Sequence, residues 1–109
     1  MHSAAVAENK IFQALADPSR RAIFESLTRG EAAVKDLTAR FDISQPAISQ
    51  HLATLRDAGL VSRRRAGRCV YYRVEPRGMK PLIDWIAHYR AFWTEHVGRL
   101  ERLLERMDE

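Results

Sequence analysis

The chain has 109 residues, 46% of them apolar, and a formal net charge of +4, which fits one small domain and leaves no room for two ordinary ones. No apolar run approaches membrane-spanning length, and the single cysteine, Cys69, excludes an intrachain disulfide and fits a reducing cytoplasm. The basic surplus is local: six arginines (63, 64, 65, 68, 73 and 77) stand against one acid, Glu75, between Arg63 and Arg77.

Residues 1–7 lack the basic start and long apolar run of a secretory leader, so none is expected. The apolar spacing predicts a first helix over about 7–16, with Ile11, Phe12 and Leu15 on one face. Asp17-Pro18 then reads as an N-cap followed by proline at the first helical position. The second helix runs to about Thr28, buries Ile23, Phe24 and Leu27, and ends at Gly30. A short third helix over about 34–40 buries Val34 and Leu37. Ser44 caps a fourth, which tolerates Pro46 in its first turn and stops at Gly59.

In the fourth helix Ile48, Leu52 and Leu55 make a buried stripe at i, i+4, i+7. Ser44, Gln45, Pro46, Ser49 and Gln50 lie off that stripe near the helix N-terminus. Glutamine pairs bidentately with adenine, serine suits several bases, and small apolar surface meets a thymine methyl. These are the residue types that read a major groove from the start of a helix. His51 has two readings, a phosphate contact or a brace between helices, and the brace is preferred.

Two short strands come next, about 60–65 and 69–74, around Ala66-Gly67-Arg68. Alternation sets Val70, Tyr72 and Val74 on one face. Charges also blunt exposed strand edges, but four arginines in six residues exceed that need. Arg64, Arg65 and Arg68 are therefore assigned to DNA backbone or minor groove, with Arg65 and Arg68 nearest the tip. Tyr72 and Cys69 are read as structural.

The last helix is expected over about 79–107, some 40 Å long at 1.5 Å per residue. Leu82, Ile86, Tyr89, Trp93, His96, Leu100, Leu103 and Met107 fall at alternating four- and three-residue spacing, a heptad seam interrupted by His96. A stripe this long exceeds what the small core can cover, so Leu82, Ile86, Tyr89, Trp93, His96, Leu100 and Leu103 are assigned to a dimer interface. A histidine on the seam is also a candidate pH switch. Acidic residues on the polar face argue against a membrane-surface role. The expected fold is mainly α with a β-hairpin, a winged helix-turn-helix (α-α-α-α-β-β-α) spanning 1–109. Its helix-turn-helix covers about 34–58, its wing about 60–75 and its dimerisation helix about 79–107.

The run Ala14-Leu15-Ala16-Asp17-Pro18-Ser19-Arg20-Arg21 with Ile23 and Leu27 resembles the ArsR/SmtB family of bacterial repressors. So do Ile43-Ser44-Gln45-Pro46-Ala47-Ile48-Ser49-Gln50-His51-Leu52 with Leu55, the run Ala58-Gly59-Leu60-Val61, and Arg64-Arg65-Ala66-Gly67-Arg68 with Tyr71-Tyr72. The resemblance covers about residues 8–75. It implies a homodimeric transcriptional repressor on a palindromic operator, with double-stranded DNA as its partner. Metal-sensing members carry Cys-Val-Cys-Asp-Leu where this chain has Ala33-Val34-Lys35-Asp36-Leu37. Others bind zinc on the last helix, where Asp84, His88, Glu95 and His96 are the nearest set and span several faces. The resemblance is thus to the metal-independent branch, with no cofactor, no metal and an open effector. A winged-helix protein-interaction module and a metal-responsive repressor are the alternatives. No nucleophile, base and orienting group assemble into an enzyme site.

Overall fold

The computed structural model describes residues 2–108, with side chains from 5 onward. Met1 and Glu109, the ends of the predicted domain, and the side chains of the predicted leaderless stretch before residue 5 lie outside the described residues. The elements in order are α1 (His2–Ala16), α2 (Pro18–Leu27), β1 (Ala32–Ala33), α3 (Val34–Phe41), α4 (Gln45–Asp57), β2 (Val61–Ala66), β3 (Cys69–Val74), a 3-10 turn (Pro76–Met79), α5 (Lys80–His88) and α6 (Arg90–Met107). This is the expected winged helix-turn-helix, with three additions that the sequence did not announce.

The α1–α2 corner shows why Ala-Asp-Pro-Ser-Arg-Arg folds as it does. The Asp17 carboxylate accepts the Arg20 backbone N–H at 2.9 Å, and Pro18 opens α2. That hydrogen bond holds the Asp17 carboxyl below its ordinary value against the cost of desolvation, and the Arg20 charge adds a smaller share. Arg20 and Arg21 reach back to the last carbonyls of α1: Arg20 Nε donates to Ala14 O at 2.6 Å and Arg21 Nη1 to Leu15 O at 2.7 Å. Those carbonyls have no helical partner of their own. One hexapeptide therefore starts one helix and finishes another.

Ile11, Ile23, Leu37, Ile48, Leu52, Leu55 and Leu60 form the fully buried centre, and α1 through β3 all contribute to it. Phe12 departs from its expected place. It is 43% exposed, while Ala14 takes the buried position and Phe12 meets the edge of Trp85 at 5.5 Å between ring centroids. The first addition is β1: Ala32 and Ala33 pair antiparallel with Tyr72 and Tyr71, giving a three-stranded sheet in the order β1-β3-β2. The second is an earlier start to α1, at His2 rather than near residue 7.

The third concerns the last helix, which is two helices. Tyr89, at φ −104° and ψ 18°, breaks it. The Tyr89 N–H turns tightly onto Ile86 O at 3.1 Å, and the ladder resumes with Trp93 N–H on Tyr89 O at 2.9 Å. Trp85, Tyr89 and His88 cluster at the break, with ring centroids 5.1 and 4.9 Å apart. The predicted seam therefore does not run along one straight rod. Leu82 also leaves it: its side chain packs against the chain's own core. Ile86, Tyr89, Trp93, His96, Leu100 and Leu103 are all exposed or only partly covered. His96 Nδ1–H donates to Phe92 O at 2.8 Å, and the ring stacks on Phe92 with centroids 4.0 Å apart.

The launch of this arm is fixed by backbone contact. Glu75 N–H donates to Leu60 O at 2.9 Å, which ties the exit of β3 to the residue that leads into β2. Gly78 then sits so close to Gly59 that a Cβ there would fall 1.6 Å from the Gly59 carbonyl oxygen. Only glycine fits this crossing.

Candidate nucleic-acid interface

The Ser44 hydroxyl accepts the Ala47 backbone N–H at 3.3 Å, so Ser44 closes the start of α4 as its N-cap. Its oxygen is engaged with the helix end. Gln45, Pro46, Ser49 and Gln50 all stand exposed on the first two turns, while Ile48, Leu52 and Leu55 on the opposite face are 0% exposed. Burial fixes the rotation of the helix about its axis, and that rotation fixes which side chains face outward. Arg56 is exposed further along the same outward face. Spacing alone does not single it out, since its relation to Gln45 and Ser49 matters only once the buried stripe is known.

His51 braces rather than projects. Its Nδ1 lies 3.4 Å from Arg20 Nη1, and because a guanidinium only donates, Nδ1 accepts and the ring proton belongs on Nε2. The same Arg20 holds the C-terminus of α1 through Ala14 O and Gln13 O, so α1, α2 and α4 are joined at one side chain.

The wing divides its arginines between two faces. Cross-strand partners share a face: Arg63 stands opposite Tyr72 and Arg65 opposite Val70, whereas Arg64 stands opposite Tyr71 and Ser62 opposite Arg73. Tyr72 is buried in the core, so Arg63 and Arg65 lie on the wing's inner face, the one continuous with the core that α4 covers. Both are exposed, as is Arg68 at the turn made by Gly67 with φ 64°. Arg64 lies on the outer face and is engaged: its Nε donates to Glu31 Oε2 at 3.0 Å, its Nη2 to Glu31 Oε1, and its guanidinium rests over the Tyr71 ring at 5.1 Å. The Arg64 hydrogen bond holds the Glu31 carboxyl below its ordinary value, and the same bond raises Arg64. Arg73 Nε donates across the strands to Ser62 Oγ at 3.3 Å. Of the three arginines predicted for DNA, Arg64 is paired with Glu31, whereas Arg65 and Arg68, with Arg63 beside them, have no ion-pair partner among the described residues.

The residues that would hold a metal ion do not fit one. At the position of the metal-sensing thiols Ala33 offers only its N–H, which donates to Asp36 Oδ2 at 3.0 Å. On the terminal helices Asp84 is taken by Lys80 at 2.6 Å and Glu95 pairs with Arg99. Among the described residues no three His, Cys, Asp or Glu side chains gather as a metal-binding group, and no helix is long and apolar enough to cross a membrane.

The sequence pattern described as "Bacterial regulatory protein, arsR family" matches residues 17–63. The chain is 35% identical over 81 residues to the transcriptional repressor SdpR of Bacillus subtilis, covering 74% of this chain and 90% of that one. It is 38% identical over 97 residues to the HTH-type transcriptional regulator Rv2034 of Mycobacterium tuberculosis, covering 89% and 88%. An ArsR-like transcriptional regulator from Rhodococcus sp. RHA1 superposes with a TM-score of 0.74 at 25% identity, covering 91% of this chain and 93% of that one. With the helix-turn-helix, the wing and these relatives together, the chain belongs to the ArsR family of bacterial regulators: it is a DNA-binding transcriptional regulator and not an enzyme.

Proposed function

We propose that the chain acts as a homodimeric, metal-independent repressor of the bacterial cytoplasm on a palindromic operator. In this reading α4 enters the major groove with Gln45, Pro46, Ser49 and Gln50 toward the base edges, and Arg63, Arg65 and Arg68 of the wing lie along the backbone or in the adjacent minor groove. The observation that carries it is the split of α4, wholly buried on one side and polar, small and uncharged across its N-terminal outer face. That face has hydrogen-bonding capacity and no charge to desolvate, which suits base edges.

A second copy is the occupant proposed for the apolar face of the arm. Phe12, Ile86, Phe92, Trp93, Val97, Leu100, Leu103 and Leu104 each leave 43–54% of their surface open, and Val6 and Ile83 beside them leave 53% and 56%. The Cα radius of gyration is 17.8 Å, against about 13 Å for a compact chain of this size. Such a projecting apolar rod is what a two-fold partner covers.

Titrating the full-length protein against genomic fragments selected for binding, over a range of salt concentrations, tests the DNA contacts. Arg65→Ala and Arg68→Ala should each reduce the salt slope by about one and weaken all sequences alike, whereas Gln45→Ala or Gln50→Ala should cost about 1–3 kcal/mol at one base position only. Equal losses on all sequences from Gln45→Ala would remove α4 from base reading. No retention of any fragment at low salt would favour a protein-interaction module.

A further inference from the structure

The arginines of the wing are not equivalent, and the difference comes from a residue outside the wing. Glu31 directly precedes β1, whose two residues pair with Tyr71 and Tyr72 of β3. That short pairing delivers the Glu31 carboxylate to the outer flank of the wing. There it receives Arg64 through both Nε and Nη2, a fork-to-carboxylate arrangement. The guanidinium lies at the same time over Tyr71. The edge of Arg64 that would straddle a phosphate is the edge that Glu31 fills. Arg63, Arg65 and Arg68 have no such partner among the described residues.

We propose that Glu31 tempers DNA affinity: it stands in for a phosphate at Arg64 and so keeps this wing's sequence-independent grip on DNA weak. The proposal rests on the reading in which the wing lies on the DNA backbone. Each phosphate that a protein neutralises steepens the dependence of log affinity on log salt by about 0.9, and non-specific binding consists almost wholly of this electrostatic contribution. By pairing with Arg64, Glu31 withholds one cation from that sum. The base contacts of α4 are untouched by this effect. Operator and non-specific affinity are therefore both lower with Glu31 than without it, and their ratio is unchanged.

The test uses fluorescence anisotropy of the full-length protein on two duplexes, a selected genomic fragment and a scrambled copy, across a KCl series. Glu31→Gln should steepen the salt slope by about one on both duplexes, raise affinity for both several-fold and leave the selected-to-scrambled ratio unchanged. Arg64→Ala should leave the wild-type slope unaltered, and Glu31→Gln with Arg64→Ala should return to it. Glu31→Ala serves as a second variant, with circular dichroism to confirm that each protein folds. A slope flattened by Arg64→Ala as much as by Arg65→Ala overturns the proposal, because Arg64 would already be on DNA. A slope unchanged by Glu31→Gln while Arg65→Ala still flattens it also overturns the proposal and leaves the wing contact standing. A slope unchanged in both overturns the two together.

Discussion

The part of the chain from α2 through β3 and the part from α5 through α6 solve the same problem in opposite ways. In the first, Ile23, Leu37, Ile48, Leu52, Leu55 and Leu60 are 0% exposed, and each helix turns its apolar stripe onto its neighbours. In the second, no residue of α5 or α6 is buried, although the apolar spacing is at least as regular. Apolar periodicity states which face a helix will cover; it does not state with what. The reading head completes its burial within one chain. The arm leaves its apolar face open, and in the homodimer proposed above its stability would depend on concentration in a way that the head's does not.

The sharpest way to break this contrast is to charge the free face. Leu100→Glu with Leu103→Glu should give a monomer by analytical ultracentrifugation. It should lower operator affinity about a thousandfold, because the second half-site contact becomes intermolecular, while the melting of the head stays put. A lowered melting midpoint in a protein that remains dimeric would mean instead that the arm belongs to the head.

Gly78→Ala acts at the junction between the two parts. With the Gly59 carbonyl only 1.6 Å from the new Cβ, the backbone must move, and a destabilisation of about 3 kcal/mol or more is expected by urea unfolding. An unchanged midpoint would show that the junction is looser than its contacts imply.

The smallest expected effect is confined to the head and vanishes in acid. Asp17 and Glu31 both have folded-state values below their ordinary ones, Asp17 through the Arg20 N–H and Glu31 through Arg64. Groups lowered by folding contribute stability above their unfolded value and lose it as pH falls through the folded one. Asp17→Asn should therefore lower the melting midpoint slightly at neutral pH, and the gap to wild type should close below the ordinary carboxylate range. A gap that persists there would assign the loss to helix capping geometry rather than to charge.

Much of the head was legible because its signals are local. Asp17-Pro18 and Ser44 cap the helices that begin beside them, Ile48, Leu52 and Leu55 name the buried side of α4, and alternation puts Tyr72 inside. The features that sequence reasoning missed are relations between distant residues or properties of the backbone. Ala32-Ala33 carries no strand preference, and it becomes a strand because β3 has an open edge beside it. Glu31 and Arg64 are 33 residues apart, and neither looks unusual alone. The break at Tyr89 has no proline or glycine to mark it, and the heptad spacing runs through it unchanged, since side-chain periodicity does not record a backbone ψ. Leu82 obeyed that spacing and still turned inward.

That break makes the arm a lever. The eighteen residues of α6 span about 27 Å at 1.5 Å per residue, so each degree of bend at Tyr89 carries the far end of the helix by about 0.5 Å. If two such arms meet along their length, the distance between two reading heads is set by an angle at a single tyrosine. Half-site spacing on DNA can then be tuned by substitutions around Trp85, His88 and Tyr89 that do not touch the bases.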